Sequence, residues 1–530
     1  MVWNADRLQE GLVGYWDAPI FHPAKGTFAF SEPQPATMLV APVFWMTASP
    51  ALAYNVYLLL SLFLNGWFAV RLLRRLRLSL FASLIGGFAM VWHPLAHAQA
   101  DVIQLIPLWP VLWLITAAID LRSIASIQIG ANNMRTRRVL LKGLELGIGC
   151  FMVFAVSIHH GLFVALLAPL TIWVFVPWRR IKVWWPGAMV SLALATILLI
   201  PLLLPMYRVM ELNKFDRPES LVGELSAKWS DIFNVQSSAL IRWSSQNADR
   251  PWYLSPGWFR TFFAILAISE LRSIRRLRTR PLVKFLVLLA VASALLSMGT
   301  NLQVAGWKLW PLLSQYCPGM SQVRSAFRFG YFMQLSLILL CAVGFDRVQR
   351  WLMIRLRSRR LSGILGKVIL AAVAVLLAIE IPPQALQTVG VPNLSRVDSW
   401  ETFLRAQLTP GKCCIFLPFA PGRDVADFDQ TTRWMLRTTH QHLPILNGYS
   451  GFFPQSHFDN ETVFRDAPFS DDSLRRMTQS LVQFIVVQRH SELKPQPDSK
   501  SAFRVEKVFD DSFGTIVFEI TFADPKARKP

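Results

Sequence analysis

Charge is scarce in this sequence. Of its 530 residues 16% are charged and 53% are hydrophobic, where a soluble chain carries about 25% charge. That balance, with a mean hydropathy of +0.37, excludes a disordered, collagen-like or simple soluble protein. Cysteine is scarce too. Cys150, Cys317, Cys341, Cys413 and Cys414 show no zinc-site spacing. The adjacent Cys413 and Cys414 would form only a strained vicinal disulfide, so all five read as structural or free thiols. The amino terminus, MVWNADRLQEGLVGYWDAP, lacks the basic stretch followed by an apolar run that marks a signal peptide. There is no GxxxxGK[ST], no GxGxxG opening a helix, no catalytic serine elbow, no HExxH, no internal repeat and no low-complexity tract.

What is present is a series of apolar runs. Those near 51–70, 80–99, 105–119, 140–157, 161–177, 186–207, 257–271, 283–299, 327–346 and 363–382 predict about ten membrane helices. Pro107 and Pro110 predict a tilted or broken third run, and the fourth and fifth meet at His159-His160. The chain holds 54 basic and 33 acidic residues, a net charge of +21, yet from residue 383 onward there are 17 of each. The excess therefore belongs to the apolar part. The loops 71–79, 122–142, 179–182, 272–284 and 347–367 carry 25 basic residues and no acidic one. Each is separated from the next by two predicted helices, so all five lie on one side, and the positive-inside rule makes that side cytoplasmic. An isoelectric point near 10.3 raises nucleic acid as a partner, but a nucleic-acid surface needs no such alternation, and none is expected.

That orientation places residues 1–50, the loop 208–256, the loop 300–326 and the tail 383–530 outside. The second of these mixes charged and aromatic residues, among them Asp216, Arg217, Glu219, Glu224, Asp231, Trp243, Trp252 and Tyr253. About fifty outward residues before the first clear helix, with no signal to export them, lead us to expect a cytoplasm-to-outside segment upstream of Met1. Pro382-Pro383 ends the last helix. In the tail, CCIFLPF (413–419) reads as a strand and TTRWMLRTTH (431–440) as a helix. SDDSLRRMTQSL (470–481) reads as a helix with a Ser N-cap, LVQFIVVQR (481–489) as a buried strand, and FGTIVFEITF (513–522) as an edge or half-buried strand. The expected fold class is mainly α: a polytopic membrane helix bundle over 51–382, preceded by a first extracytoplasmic loop over 1–50. An extracytoplasmic α/β domain over 383–530 follows it.

Candidate chemistry collects on the outer face. The first loop carries Asp6, Glu10, Asp17, His22 and Glu32 among Trp16, Phe21, Phe28 and Phe30. A carboxylate at an aromatic-lined membrane surface can act as a general base or hold a divalent cation; the plainer reading is an interfacial loop with aromatic anchors. His93, His97 and Asp101, spaced i, i+4, i+8 at the end of the second helix, line one helical face and suit a metal, a phosphate or simply a hydrated helix end. Arg324 and Arg328, in PGMSQVRSAFRFGYF, are expected one helical turn apart at the outer start of their helix. Arginines there run against the topological bias, and such a pair suits a phosphate or pyrophosphate, or snorkels to headgroups. As an outer-surface residue Arg328 is expected to contribute little to packing, and to lie deeper along the helix than Arg324. His159 and His160 read as exposed at an outer turn.

Three stretches resemble bacterial polytopic membrane proteins of the GT-C superfamily, the YfhO-like and RgtA/B/C/D-like group. They are residues 16–76, beginning WDAPIFHPAKGTFAFSEPQP; residues 317–348, CPGMSQVRSAFRFGYFMQLSLILLCAVGFDRV; and LPILNGYSGFFP, 443–454. With the matching helix order the resemblance spans nearly the whole chain. It implies a glycosyltransferase that takes a sugar from a polyprenyl-phosphate donor on the outer face, with membrane lipids around it. The family base is an Asp or Glu of the first outer loop, usually in a Gly-Asp upstream of the stretch matching Phe21-His22-Pro23. Here that position precedes Met1, so the resemblance implies either a base upstream of Met1, or Asp17 or Asp6 in its place, or a protein without catalysis. Arg324 and Arg328 would hold the donor phosphate and offset its growing charge. His22, Glu32, His93, His97 and Asp101 stand as further metal or substrate candidates. A non-catalytic surface-polysaccharide assembly factor and a lipid or saccharide transporter are the alternatives.

Overall fold

The structure is a computed structural model that describes all residues except 127–131, 236–251, 270–278, 356–359, 382–387, 489–492, 494, 496–501, 512–513 and 523–530. Trp243 and the Pro382-Pro383 helix stop lie outside the described residues. The fold is mainly helical and divides into two units. One holds residues 58–200 and 216–387; the other holds residues 1–57, 201–215 and those from 388 on.

In the first unit the apolar runs fold as helices. Among the described residues seven helices of the chain are long and apolar enough to cross a membrane, and a pair bent by 52°, Ile158–Leu166 and Ala168–Phe175, is either a broken eighth span or a re-entrant loop. The other two runs give shorter helices, Trp258–Ser269 and Gly366–Ile379. The chain is an integral membrane protein. Its breaks have local causes. Pro94 has no N–H to continue the helix Leu80–Val91, so the backbone extends at His93 and restarts as Pro94–Ala98. Pro107 and Pro110 delay the next helix to Trp109–Ser126. There the Asn65 amide accepts from Leu108 N (2.8 Å) and Trp109 N (2.7 Å) and donates to Ile106 O (2.8 Å), satisfying groups that hydrocarbon would leave stranded.

Close approach of helices rests on glycine. A Cβ on Gly143 would lie 2.3 Å from Gly187 O, and one on Gly344 would lie 1.9 Å from Phe263 O. Backbones can touch this way only where side chains are absent. The helix Gly330–Arg355 is almost wholly buried along its span and packs against Trp258–Ser269, Thr279–Ser297 and Leu80–Val91. Among the described residues several buried ions have an opposite charge nearby. Glu380 accepts from Phe259 N (2.7 Å) and Arg260 N (3.3 Å), capping Trp258–Ser269, and its charge acts on the fully buried Arg260. Buried Asp120 meets Arg75 (2.9 Å) and Lys142 (3.3 Å), and Glu145 pairs with Lys142 and accepts from Trp113 Nε1 (2.9 Å).

The second unit joins both ends of the chain. Its sheet runs Cys413–Leu417, Val482–Gln488, Thr515–Phe522, Phe503–Asp511; the first pair is parallel and the others antiparallel. Thr515–Phe522 is thus an inner, half-buried strand. The edge is Phe503–Asp511, a charged strand that the sequence pattern did not single out. The expected helices form as Asp429–His440 and Asp471–Gln479, the latter with Ser470 Oγ accepting from Ser473 N (3.2 Å). At the other margin Cys414 pairs with Ile445, and the first segment adds to that edge. Phe21 N donates to Asn447 O (3.1 Å), His22 N to Ile445 O (2.9 Å) and Ile445 N to Pro19 O (3.0 Å). Residues 1–50 and the tail, read separately in the sequence, share one core that includes Trp3, Phe21, Phe30, Phe215, Trp400, Phe416 and Trp434.

Gly344→Ala forces a methyl group against backbone that cannot yield. It is expected to lower stability by about 1–3 kcal/mol, the usual cost of overpacking. Thermal unfolding of the solubilised protein measures this, with Gly390→Ala, where nothing lies within 4 Å of the added Cβ, as the unaffected control.

Candidate anion site and the first-loop carboxylates

Arg328 is the centre of a group of three interacting arginines in the membrane unit. It lies on a 3-10 turn, Ala326–Phe329, immediately before the helix Gly330–Arg355. Arg324 precedes that turn outside any helix, so the two arginines are not one helical turn apart, as their spacing suggested. The difference matters for burial. Arg328 is only 7% exposed, not a surface residue, whereas Arg324 is half-buried. Arg328 Nη1 donates to His159 Nε2 at 3.1 Å. Because a guanidinium can only donate, His159 Nε2 must accept, which puts its proton on Nδ1 and leaves the ring neutral. Arg328 Nε has no hydrogen-bond partner among the described residues.

Two further arginines crowd this pair. The charges of Arg217, Arg324 and Arg328 all act on His159, and Arg324 acts on both of the others. Burial first, and Arg324 second, pull the Arg217 guanidinium down to about 10. Asp101, exposed in the turn after Pro94–Ala98, is the carboxylate whose charge reaches Arg328. The cluster is therefore cationic in excess. Aromatic rings pack on both sides of Arg328 in the sequence: Phe163 stacks on Phe329 at 3.7 Å, Trp252 on Phe327 at 3.7 Å, and buried His160 lies 5.9 Å from Tyr331 and 5.7 Å from Phe332. The sequence pattern singled out Arg324 and Arg328 but not Arg217, and read His159 and His160 as exposed. The one available signal was Arg217 standing beside Asp216 and Glu219 in the outer loop.

The His93, His97 and Asp101 series does not line one helical face, because Pro94 breaks the helix between its members. Fully buried His93 accepts from Ala96 N through Nδ1 (3.2 Å) and donates from Nε2 to Tyr331 O (3.1 Å), while its ring stacks on Tyr331. His97 Nε2 donates to Val91 O (2.9 Å). Both rings hold the chain where the helix is interrupted. Gln334 completes the brace, accepting from Leu95 N (3.0 Å) and donating to Leu254 O (3.1 Å).

The first-loop candidates belong to the other unit. Asp17 is exposed, with Oδ1 accepting from Gly26 N at 2.8 Å. Asp6 is buried at 8% exposure, with Oδ2 3.3 Å from His440 Nδ1. Its neighbour Arg7 donates to His442 (2.8 Å) and pairs with Glu10 (2.7 Å). His22 is half-buried, and burial holds its pKa below the ordinary range against a backbone hydrogen bond at Gly411. Glu32 is half-buried as well. Among the described residues no group of three or more His, Cys, Asp or Glu side chains is placed to hold a metal ion.

Comparison with known proteins adds a family and a fold. Residues 19–379 match the family model described as "Domain of unknown function (DUF6311)". Among solved structures, the chain is similar to the cryo-EM structure of arabinofuranosyltransferase AftD from Mycobacteria, at 12% identity and a TM-score of 0.51. The match covers 98% of this chain and 39% of that one, so the chain spans about two fifths of that protein's length. At this identity the likeness shows the fold, which is GT-C-like. No curated protein matches.

His159→Ala takes from Arg328 a buried hydrogen-bond acceptor. It is expected to cost about 1–3 kcal/mol of stability, measured by thermal unfolding, and His159→Gln, which restores an acceptor oxygen, is expected to recover part of it.

Proposed function

The chain belongs to the DUF6311 family, and we propose that it is a membrane glycosyltransferase of the YfhO-like and RgtA/B/C/D-like kind. In this reading it takes its sugar from a polyprenyl-phosphate donor on the outer face of the membrane, the side that also bears the carboxy-terminal domain. The observation that carries the reading is Arg328: a buried guanidinium whose hydrogen-bond partner is a neutral histidine rather than a carboxylate, crowded by two more arginines. Such a group is stabilised by an anion that arrives from outside the chain. A lipid-linked sugar phosphate carries one negative charge, and its leaving phosphate carries two. Excess fixed positive charge therefore favours the departing group more than the bound donor, which is the differential that speeds transfer. We assign phosphate binding to Arg324 and Arg328, with Arg217 beside them. The acceptor base falls to exposed Asp17 before Asp6, which His440 already engages. His22, Glu32, His93, His97 and Asp101 remain secondary substrate candidates, and a divalent cation is not required by this assignment.

The non-catalytic assembly-factor reading has one observation in its favour. Asp6 and Asp17 each hold a local contact, to His440 and to Gly26 N, so both have a structural use. A transfer assay separates the two. The protein in lipid nanodiscs would be given radiolabelled polyprenyl-phosphate sugars, beginning with an arabinofuranosyl donor. Transfer is expected, with Arg328→Lys and Arg324→Gln each slowing it by about tenfold or more, the loss of roughly 1.4 kcal/mol of transition-state stabilisation. Asp17→Asn is expected to slow it further, while Arg423→Gln, at an exposed site of the tail, leaves it unchanged. Full rates in the arginine variants, or no transfer from any lipid-linked donor, would contradict the proposal.

A further inference from the structure

From residue 33 to residue 70 the chain carries no charged residue and no histidine, a run of 38 positions between Glu32 and Arg71. A membrane span needs about 20 apolar residues, and the helix Pro50–Arg75 supplies them. The preceding residues 33–49 are free of charge beyond that need. They fold as a 3-10 turn, Pro35–Val40, running into a short helix, Ala41–Thr47. One face of this segment is occupied within its own unit. Val40, Ala41 and Phe44 are buried, Phe44 meets the His440 ring edge-on at 5.5 Å, and Thr37 Oγ1 accepts from Asn4 Nδ2 at 2.8 Å. The other face is apolar and uncovered: Leu39 is 58% exposed, Trp45 43% and Met46 78%.

The polar groups of the segment are turned away from that face. Thr47 Oγ1 donates to Val43 O (2.7 Å), and Trp45 Nε1 donates to Ala5 O (3.2 Å), so the indole leaves no stranded donor if its ring enters an apolar phase. Two residues, Ala48 and Ser49, separate Thr47 from the spanning helix, and Ser49 Oγ accepts from Leu52 N (3.2 Å) at its start. The uncovered face therefore lies within roughly 10 Å of chain from a segment that is itself in the bilayer.

We propose that this face of residues 35–47 is a lipid-binding surface, with Leu39, Trp45 and Met46 immersed between phospholipid headgroups and the first acyl carbons. The occupant is fixed by continuity with the span, by the absence of charge, and by a tryptophan of the kind that collects at that depth. The surface holds the helix Val2–Gln9 at the bilayer, because Asn4 and Ala5 are its partners. This inference does not depend on the glycosyltransferase reading.

The test is collision accessibility of a spin label. Met46→Cys and, separately, Leu39→Cys would be labelled in the full-length protein in phospholipid nanodiscs, with background signal taken from wild-type protein treated identically. Val425→Cys, a 70% exposed site in the tail, serves as the aqueous reference. Labels at 46 and 39 are expected to collide several-fold more with oxygen, and several-fold less with a water-soluble nickel chelate, than the label at 425. Nickel access equal to that at 425 would place the face in water and overturn the proposal. Exclusion of both probes would overturn it too, since the face would then be covered by a second copy or another protein.

Discussion

A charge placed in hydrocarbon must be neutralised or hydrogen-bonded, and most of this structure follows from how that demand is met. Fully buried Arg260 has Glu380, which also caps the helix that carries the arginine. Buried Asp120 has Arg75 and Lys142. Asn65 serves backbone groups freed by two prolines. Against these matched sets Arg328 stands apart. It is buried, it leans on a neutral histidine, and its cationic neighbours increase the demand rather than meet it. A fold that elsewhere pairs these buried ions, and here gathers guanidinium groups, is what supports our proposal that a mobile anion binds at Arg328.

Much of the architecture was legible because membrane helices announce themselves. Each apolar run gave helix among the described residues. What was hidden depended on single residues and distant pairings. Pro94 separates His93 from His97, although their spacing fits one helical face. Buried Arg328 lies on a 3-10 turn rather than an α-helix, between Phe327, which stacks on Trp252, and Phe329, which stacks on Phe163. Spacing alone cannot distinguish those two turns.

The union of the chain's ends was equally hidden. Residues 19–22 pair with 445–447 through backbone hydrogen bonds, which leave no periodic mark in either stretch. In hindsight two stretches that carry the family resemblance, 16–76 and 443–454, are the two that meet. A Cβ on Gly448 would strike the Phe21 ring at 2.6 Å, and Asn447 ties Phe416 through both N–H and O. The LPILNGYSGFFP motif therefore reads first as the seam of a domain, and the arginine cluster in the other unit is where the chemistry is sought.

The account rests most heavily on sidedness, because an anion site built for an outer-leaflet donor must face away from the basic loops. We propose that the helices Gly330–Arg355 and Arg360–Ile379 both cross the membrane, which would put Arg328 and residue 390 on one side of it. Alkaline phosphatase and green fluorescent protein fused in turn after residue 390 read that side directly. Active phosphatase and a dark fluorescent protein are the predicted result. Bright fluorescence with inactive phosphatase would put the tail and Arg328 in the cytoplasm and contradict the account.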